Sequence, residues 1–264
     1  MMSCADPRAV ADLIRAVARE EIMGRFRALE KGDVQEKSGP CDLVTVADTA
    51  AEAALARGLA DLAPGIPVVG EEGAADDPAV LDALYGSGPA WVVDPVDGTR
   101  AFSEGRAGFG VLLALVEDGA TRAGWLYDPM ADRLFYAAAG QGAWLDDTPL
   151  TIPAPPGLGP DASGALPRPW ANAVRKATGC HTRGFASALG AYTAVARGYV
   201  QFAGLRALNP WDHAAGVLLI NEAGGTARLL TGDAYHPAPD QGEILAAASP
   251  IMWEKVAQII AKTA

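Results

Sequence analysis

The sequence predicts an α/β or α+β fold in stacked layers, built in two halves. Three observations carry that expectation. Apolar residues recur at helical spacing near the N-terminus. Three apolar segments between residues 109 and 140 follow one another with only turn signals between them. After residue 186, helical and extended patterns alternate. Helices, then an antiparallel run, then alternating α and β is the order of a layered sheet-and-helix architecture.

The elements follow in chain order. Val10, Leu13, Ile14, Val17, Ile22, Phe26 and Leu29 predict a helix over 7–30, ended by Gly32. Residues 38–46 read as a turn and a short strand. The alanine-rich stretch 48–62, with Leu55, Leu59 and Leu62 on one side, predicts a second helix. "IPVVGEEG" (66–73) reads as a strand entering an acidic loop, and 78–85 as a short helix. Strands are predicted at 90–94, 109–119, 123–129 and 133–140. The stretch 151–170 holds six prolines and reads as an irregular connector. It separates an N-terminal half (about 1–150) from a C-terminal half (about 171–264) of one domain spanning 1–264. In the second half, 186–197 and 211–222 predict helices, and "GYVQFAG", 226–230 and 243–248 predict strands. A last helix starts at Ser249 as N-cap with Pro250 in its first turn.

Composition narrows the function. A formal net charge of -11 over 264 residues argues against a nucleic-acid polymer as partner, which would want a basic stripe. A small anionic substrate remains compatible, because a bound divalent cation reverses the local field. Three widely spaced cysteines, Cys4, Cys41 and Cys180, predict a reducing compartment and no disulfide framework. No Cys/His cluster points to zinc. The start carries no signal-peptide pattern, and apolar runs such as "GVLLALV" (110–116) are too short to span a bilayer. The expectation is a soluble cytoplasmic protein with no membrane partner.

"WVVDPVDGTRAF" (91–102) is the most informative stretch. An apolar run leads into Asp94 and Asp97, and a buried carboxylate is costly unless paired or bound to a metal. Asp48, the Glu71–Glu72 pair and Asp212 also lie where apolar segments end. Each has an ordinary reading: an N-cap for Asp48 or Asp212, a solvated loop for Glu71 and Glu72, a turn for D-x-x-D-G. Together they form a set of hard oxygen ligands with few basic residues nearby in sequence, which suits Mg2+ or Mn2+. The Val96 carbonyl is a further candidate ligand. Oxygen ligands around two ions are the arrangement that activates water for phosphoryl transfer.

In "DLVTVAD" (42–48), "GEE" (70–72), "DPVDGTRAF" (94–102), "NPWDHAAG" (209–216) and "EAGG" (222–225), the chain resembles the inositol monophosphatase superfamily of metal-dependent, lithium-sensitive phosphatases. The resemblance implies a layered α-β-α-β-α sandwich and a likeness over most of the chain. It implies that Glu71, Asp94 and the Val96 carbonyl hold one ion, and that Asp94, Asp97 and Asp212 hold a second. Two or three Mg2+ ions are expected, with Mn2+ as a substitute. Glu71 and Thr99 would orient the attacking water, Asp48 would bond to Thr99, and the Gly98 and Thr99 N–H groups would cradle phosphate. Gly184, Phe185 and Ala186, with Asp212, match substrate contacts, and Lys37 matches a loop lysine near the metals. The family also implies a homodimer.

The implied activity is hydrolysis of a small phosphorylated alcohol, inositol monophosphate first. Two positions depart from the inositol pattern. The family's inositol enzymes usually carry an acid seven residues before the WD aspartate; here that residue is Leu205, beside Arg206, and no acid lies between Tyr199 and Asp212. Arg100 after DGT replaces a small polar residue, and a basic residue there is commoner in histidinol-phosphate and nucleotide-bisphosphate members. Histidinol phosphate, fructose 1,6-bisphosphate and 3'(2'),5'-bisphosphate nucleotides are therefore the alternative substrates. A non-catalytic, phosphometabolite-binding relative is the contrasting class, disfavoured because every expected carboxylate and Thr99 are present.

Overall fold

The predicted N-terminal helix resolves into two pieces. In the computed structural model, which describes residues 5–39, 42–238 and 240–262, α1 (Pro7–Val17) runs into a π-helical turn at Ala18–Met23. The wider turn carries Ile22 into the same core as Ile14, and the chain leaves helical geometry by Arg27, whose φ is +61°. Phe26 and Leu29 still pack on that core, but from a turn and an irregular segment rather than a helix.

A hairpin follows, β1 (Val34–Gly39) against β2 (Asp42–Thr45), where one short strand was expected. Then come α2 (Val46–Leu62), β3 (Val68–Gly70) and α3 (Glu71–Asp76). The acidic residues after β3 thus form the first turn of a helix, where carboxylates oppose the positive end of the helix dipole. A 3-10 turn at Pro78–Leu84 leads into β4 (Pro89–Asp97) and the short α4 (Thr99–Ser103). β5 (Gly110–Glu117), β6 (Ala120–Asp128) and β7 (Arg133–Ala138) are the three predicted strands, and β8 (Gly142–Leu145) and β9 (Thr148–Leu150) extend the same meander. The seven strands β3 to β9 form one sheet in sequence order, antiparallel except for the parallel β3–β4 pair.

The connector expected at 151–170 is more structured than its prolines imply. It contains β10 (Ser163–Ala165) and the start of α5 (Arg168–Thr178). Pro169 lies in the first turn of α5, where its missing N–H costs nothing. After β11 (His181–Arg183) come α6 (Ala188–Ala196), β12 (Phe202–Leu208), α7 (Pro210–Glu222), β13 (Thr226–Leu229), β14 (Asp240–Ala247) and α8 (Pro250–Ala261). The α8 start is as expected, with the Ser249 side chain accepting from Met252 N–H. β12 begins four residues later than "GYVQFAG" because Gly198 turns at φ +73°. The second sheet has the order β11-β10-β12-β14-β13.

The sheets stack as predicted, α-β-α-β-α. On β4 and β5, Trp91, Val93, Leu113 and Leu115 point into a core with α1 and α2. Ala90, Val92, Leu112 and Ala114 point the other way, into a core with α6 and α7. Both faces are buried, so these strands read as continuous apolar runs instead of alternating ones. The α6–α7 layer also packs on the second sheet through Ala203, Ile244 and Ala246. α5 and α8 cover the outer face, with Trp170, Val174, Trp253 and Val256 buried. The layers can approach closely because α7 is lined with small residues: a Cβ on Gly216 would sit 2.1 Å from the Tyr192 ring of α6. Among the described residues no helix is long and apolar enough to cross a membrane.

Candidate metal centre and active site

β4 brings its two aspartates to one side by a bulge. Residues three apart on a regular strand point to opposite faces. Here Asp94 pairs with Leu112 and Asp97 with Gly110, so β4 carries one extra residue. Asp94 shares the parity of Ala90 and Val92, which face α6 and α7, and the bulge returns Asp97 to that side. Both oxygens of Asp97 accept N–H groups from the start of α6, Ala188 at 3.1 Å and Leu189 at 2.5 Å. Gly98 then turns the chain into α4 at φ +88°; a Cβ there would lie 2.6 Å from the Gly108 carbonyl oxygen.

Asp212 reaches the same point from the first turn of α7, where Asn209 Nδ2 donates to its carboxylate at 3.0 Å. Ligand oxygens of Asp94, Asp97 and Asp212 all lie within 4.8 Å of one another. Glu71 adjoins them, because the parallel pairing of Gly70 with Val93 sets the next residue of each strand side by side. Its carboxylate, however, is turned to Lys37, whose Nζ is 2.8 Å from Glu71 Oε1 and 2.7 Å from Glu72 Oε1. The acid set is therefore not wholly without a basic partner. Lys37 supplies one from β1, across 34 residues of sequence.

Electrostatics define what the site requires. Burial pushes the Asp94 carboxyl well up, and Glu71, Asp97, Asp212 and Asp48 add repulsion. Burial and then Asp97 and Glu71 push Asp212 up to about 8. Asp97 rises to about 6, burial being partly offset by the Leu189 and Ala188 N–H groups. Glu72 rises to about 7 by burial, against the pull of Lys37. Burial acts to lower the Lys37 ammonium, but Glu71 and Glu72 outweigh it and hold its pKa above the usual lysine value. Three mutually destabilised carboxylates, Asp94 and Asp97 buried and Asp212 partly so, with no ion pair to any of them among the described residues, fit a divalent cation in both charge and donor type.

That charge arrangement sets a pH dependence. These acids hold protons in the folded protein at pH values where the unfolded chain has released them. Folded protein then binds more protons than unfolded, so stability falls as pH rises. The Tm of protein melted in a chelator should rise as pH is lowered from about 8 to about 6.5. Below that, His213 opposes the trend: burial lowers it to about 4, so the unfolded chain gains its proton first. A chelated-protein Tm that is flat or falls on going from pH 8 to 6.5 would contradict this account.

Asp48 lies on the α2 side of the centre. It is the third helical residue of α2 and closes a capping box: Thr45 N–H and Oγ1 both donate to Asp48 Oδ2, at 2.9 and 2.5 Å. Its other oxygen, Oδ1, is 3.0 Å from Thr99 Oγ1, which is also 3.0 Å from the Val96 carbonyl oxygen. Burial raises Asp48 to about 6, against the hydrogen bonds from Thr45 and Thr99.

A cavity of about 420 Å3 opens beside Asp97 and Asp212. Gly184, Phe185, Ala186 and Ser187 form one wall; Leu205 and Arg206 form part of the other. Arg206 Nε is 3.1 Å from Glu243 Oε1. Arg100 is exposed on α4, outside this cavity's lining. A larger cavity, about 720 Å3, lies between the start of α1 and the Trp125, Tyr136 and Trp144 rings, and holds none of the clustered acids.

The roles of three residues escaped the sequence reading. Glu72, read there only as one of an acidic pair, shares Lys37 with Glu71. Glu52 accepts the Glu72 and Gly73 N–H groups at 2.9 and 2.7 Å and so anchors the start of α3; nothing in its own stretch announces that. His213, adjacent to Asp212, is buried and bonds on both ring nitrogens.

The model of the "Inositol monophosphatase family" matches residues 7–264. The inositol-1-monophosphatase of Bacillus subtilis is 31% identical over 214 residues, 76% of this chain and 78% of that one. That of Rhizobium meliloti is 33% identical over 76% of this chain and 79% of its own. Among solved structures, the extragenic suppressor protein suhB of Bartonella henselae superposes with a TM-score of 0.83 at 26% identity, covering 97% of this chain and 98% of that one. The IMPase of Thermotoga maritima gives 0.81 at 24%, covering 96% and 95%.

Proposed function

The chain belongs to the inositol monophosphatase family, a family of metal-dependent phosphoric monoester hydrolases, and we propose that it hydrolyses a small phosphorylated alcohol with Mg2+ as its metal. Inositol monophosphate is the first substrate, on the strength of relatives named for that activity. The observation that carries the reading is the convergence of Asp94, Asp97 and Asp212 within 4.8 Å.

In this reading Glu71, Asp94, Asp97, Asp212 and the Val96 carbonyl hold the cations, with Mn2+ as a substitute for Mg2+. Bound divalent cations supply Lewis-acid charge to the phosphoryl group and acidify a water. The chain's own groups do the rest. Thr99 gives its hydroxyl proton to Asp48 Oδ1, which leaves a lone pair on Thr99 Oγ1 to accept a proton from the attacking water. The capping box occupies Asp48 Oδ2 and so leaves Oδ1 for Thr99. Glu71 orients the same water. Gly98 and Thr99 N–H groups, at a helix start, bind the phosphate. Gly184, Phe185 and Ala186, with Asp212, contact the alcohol half in the adjoining cavity.

We place the enzyme in the cytoplasm as a lithium-sensitive homodimer, and treat residues 1–264 as one domain. A reducing compartment fits the free, buried Cys180; Cys4 and Cys41 lie outside the described residues.

Leu205 in the cavity wall favours a second reading of the substrate, since an aliphatic side chain cannot bond sugar hydroxyls. Histidinol phosphate, fructose 1,6-bisphosphate and 3'(2'),5'-bisphosphate nucleotides belong in the same assay. Phosphate release across that panel with Mg2+ tests both points. Release is expected, with kcat/KM for myo-inositol 1-phosphate within about a hundredfold of another member, because one lost hydrogen-bonding group weakens discrimination. No release from any member would reject the hydrolase reading. An inositol preference far beyond that would reject the reading of Leu205.

A further inference from the structure

Ala207 sits in the left-handed region, at φ +66°, as the next-to-last residue of β12. A residue with a Cβ pays about 1 kcal/mol or more there. The β12–β14 register shifts at the same place, between Arg206 and Leu208. His213 bonds to this residue. Its Nε2 is 2.7 Å from the Ala207 carbonyl oxygen, and its Nδ1 is 2.9 Å from the Tyr192 hydroxyl of α6. A carbonyl only accepts, so Nε2 carries the proton and Nδ1 accepts from Tyr192. Both rings are buried, His213 at 1% exposure and Tyr192 at 0%. The imidazole therefore ties β12 to α6 and α7 in one fixed tautomer.

The two residues before Ala207 are Leu205 and Arg206, which line the cavity next to Asp212. We propose that His213 is a positioning residue for substrate: by fixing Ala207 in the left-handed conformation it sets Leu205 and Arg206 against the alcohol half of the phosphomonoester. The proposal rests on the phosphomonoesterase reading of this site. A residue that merely filled the core would affect melting temperature, and leave substrate affinity alone once the protein is folded.

Three variants separate these roles. His213→Phe keeps an aromatic ring and removes the donor. His213→Gln returns an N–H at the reach of Nε2. Ala207→Gly removes the cost of the left-handed conformation, so the residue needs less holding. His213→Phe should raise KM by about fivefold or more while kcat stays within about threefold, the signature of lost binding. His213→Gln should recover most of that rise. Adding Ala207→Gly to His213→Phe should bring KM back to within about twofold of Ala207→Gly alone, because coupled residues are not additive. Hydrogen exchange of residues 204–208, measured without substrate, should quicken in His213→Phe and slow again in both rescues.

An unchanged KM and unchanged exchange in folded His213→Phe would overturn the proposal. So would a collapse of kcat at constant KM, which would mean that His213 acts through Asp212. If the wild-type protein releases no phosphate, the function reading has failed and the exchange experiment alone decides the role of His213. If His213→Phe does not melt cooperatively, Tyr192→Phe, which removes only the hydroxyl facing Nδ1, takes its place with a smaller shift in the same direction.

Discussion

Asp94→Asn should lower kcat by roughly a thousandfold or more, about 4 kcal/mol of transition-state stabilisation, while the folded protein melts at the same or a higher temperature in a chelator. The two halves of this result have one cause. Asp94 is 1% exposed and surrounded by Glu71, Asp97, Asp212 and Asp48. Its carboxylate offers two anionic oxygens and is the ligand assigned to both cations. An amide offers one neutral oxygen and an NH2 group that repels a cation. Asparagine can keep the 3.1 Å bond that Asp94 Oδ1 accepts from Val96 N–H, so the bulge survives. On the proposed ligand assignment Asp94 would help to hold both cations, so its loss would weaken the two roles they would supply: activating the nucleophile and stabilising the leaving oxygen. Without metal the same substitution replaces a buried acid, whose burial and neighbours oppose its ionisation, with a group that never ionises, which relieves the folded state. If Asp94 were an ordinary turn residue, turnover would stay near normal and stability would fall slightly. Measuring kcat at saturating Mg2+ and Tm in a chelator on this one variant distinguishes the two.

How much of this was legible in the sequence depended on whether the signal was local. The acids ending apolar runs at Asp94 and Asp212 were readable because burying a lone carboxylate is costly, so their position itself asks for a cation. The three strands at 110–138 were readable because apolar runs and turn signals alternate within one short stretch. β1 was not. "VQEKSG" has neither β-branched density nor alternation, and its strand exists through pairing with β2. Only the family resemblance set Lys37 near the metal ligands; its pairing with Glu71 and Glu72 is made by tertiary folding, and no local pattern showed it. The bulge in β4 was equally hidden. Proline and glycine around the aspartates suggested a turn, whereas the carboxylates are aligned by one extra residue against β5, visible only in the register. Prolines also masked β10 and α5, because composition does not distinguish a proline in a first helical turn from one in a loop. His213 was legible as part of "WDHAAG", but its partners, the Ala207 carbonyl and Tyr192, come from two other elements.

If the clustered acids hold divalent cations, removing the cations removes both activity and the stability that they supply. In the folded protein, Asp94, Asp97 and Asp212 repel one another at short range, and Lys37 neutralises only the neighbouring Glu71 and Glu72. Their cost is recovered when a cation binds, and binding the folded state alone stabilises it by mass action. Phosphate release from myo-inositol 1-phosphate, or from the best substrate of the panel, should be followed in excess chelator and then with Mg2+ added back, with Tm recorded on the same samples. Chelation should abolish release, and Mg2+ should restore release and raise Tm together, whereas Na+ at equal ionic strength should do neither. Full release in excess chelator, with a Tm indifferent to Mg2+, would contradict metal dependence.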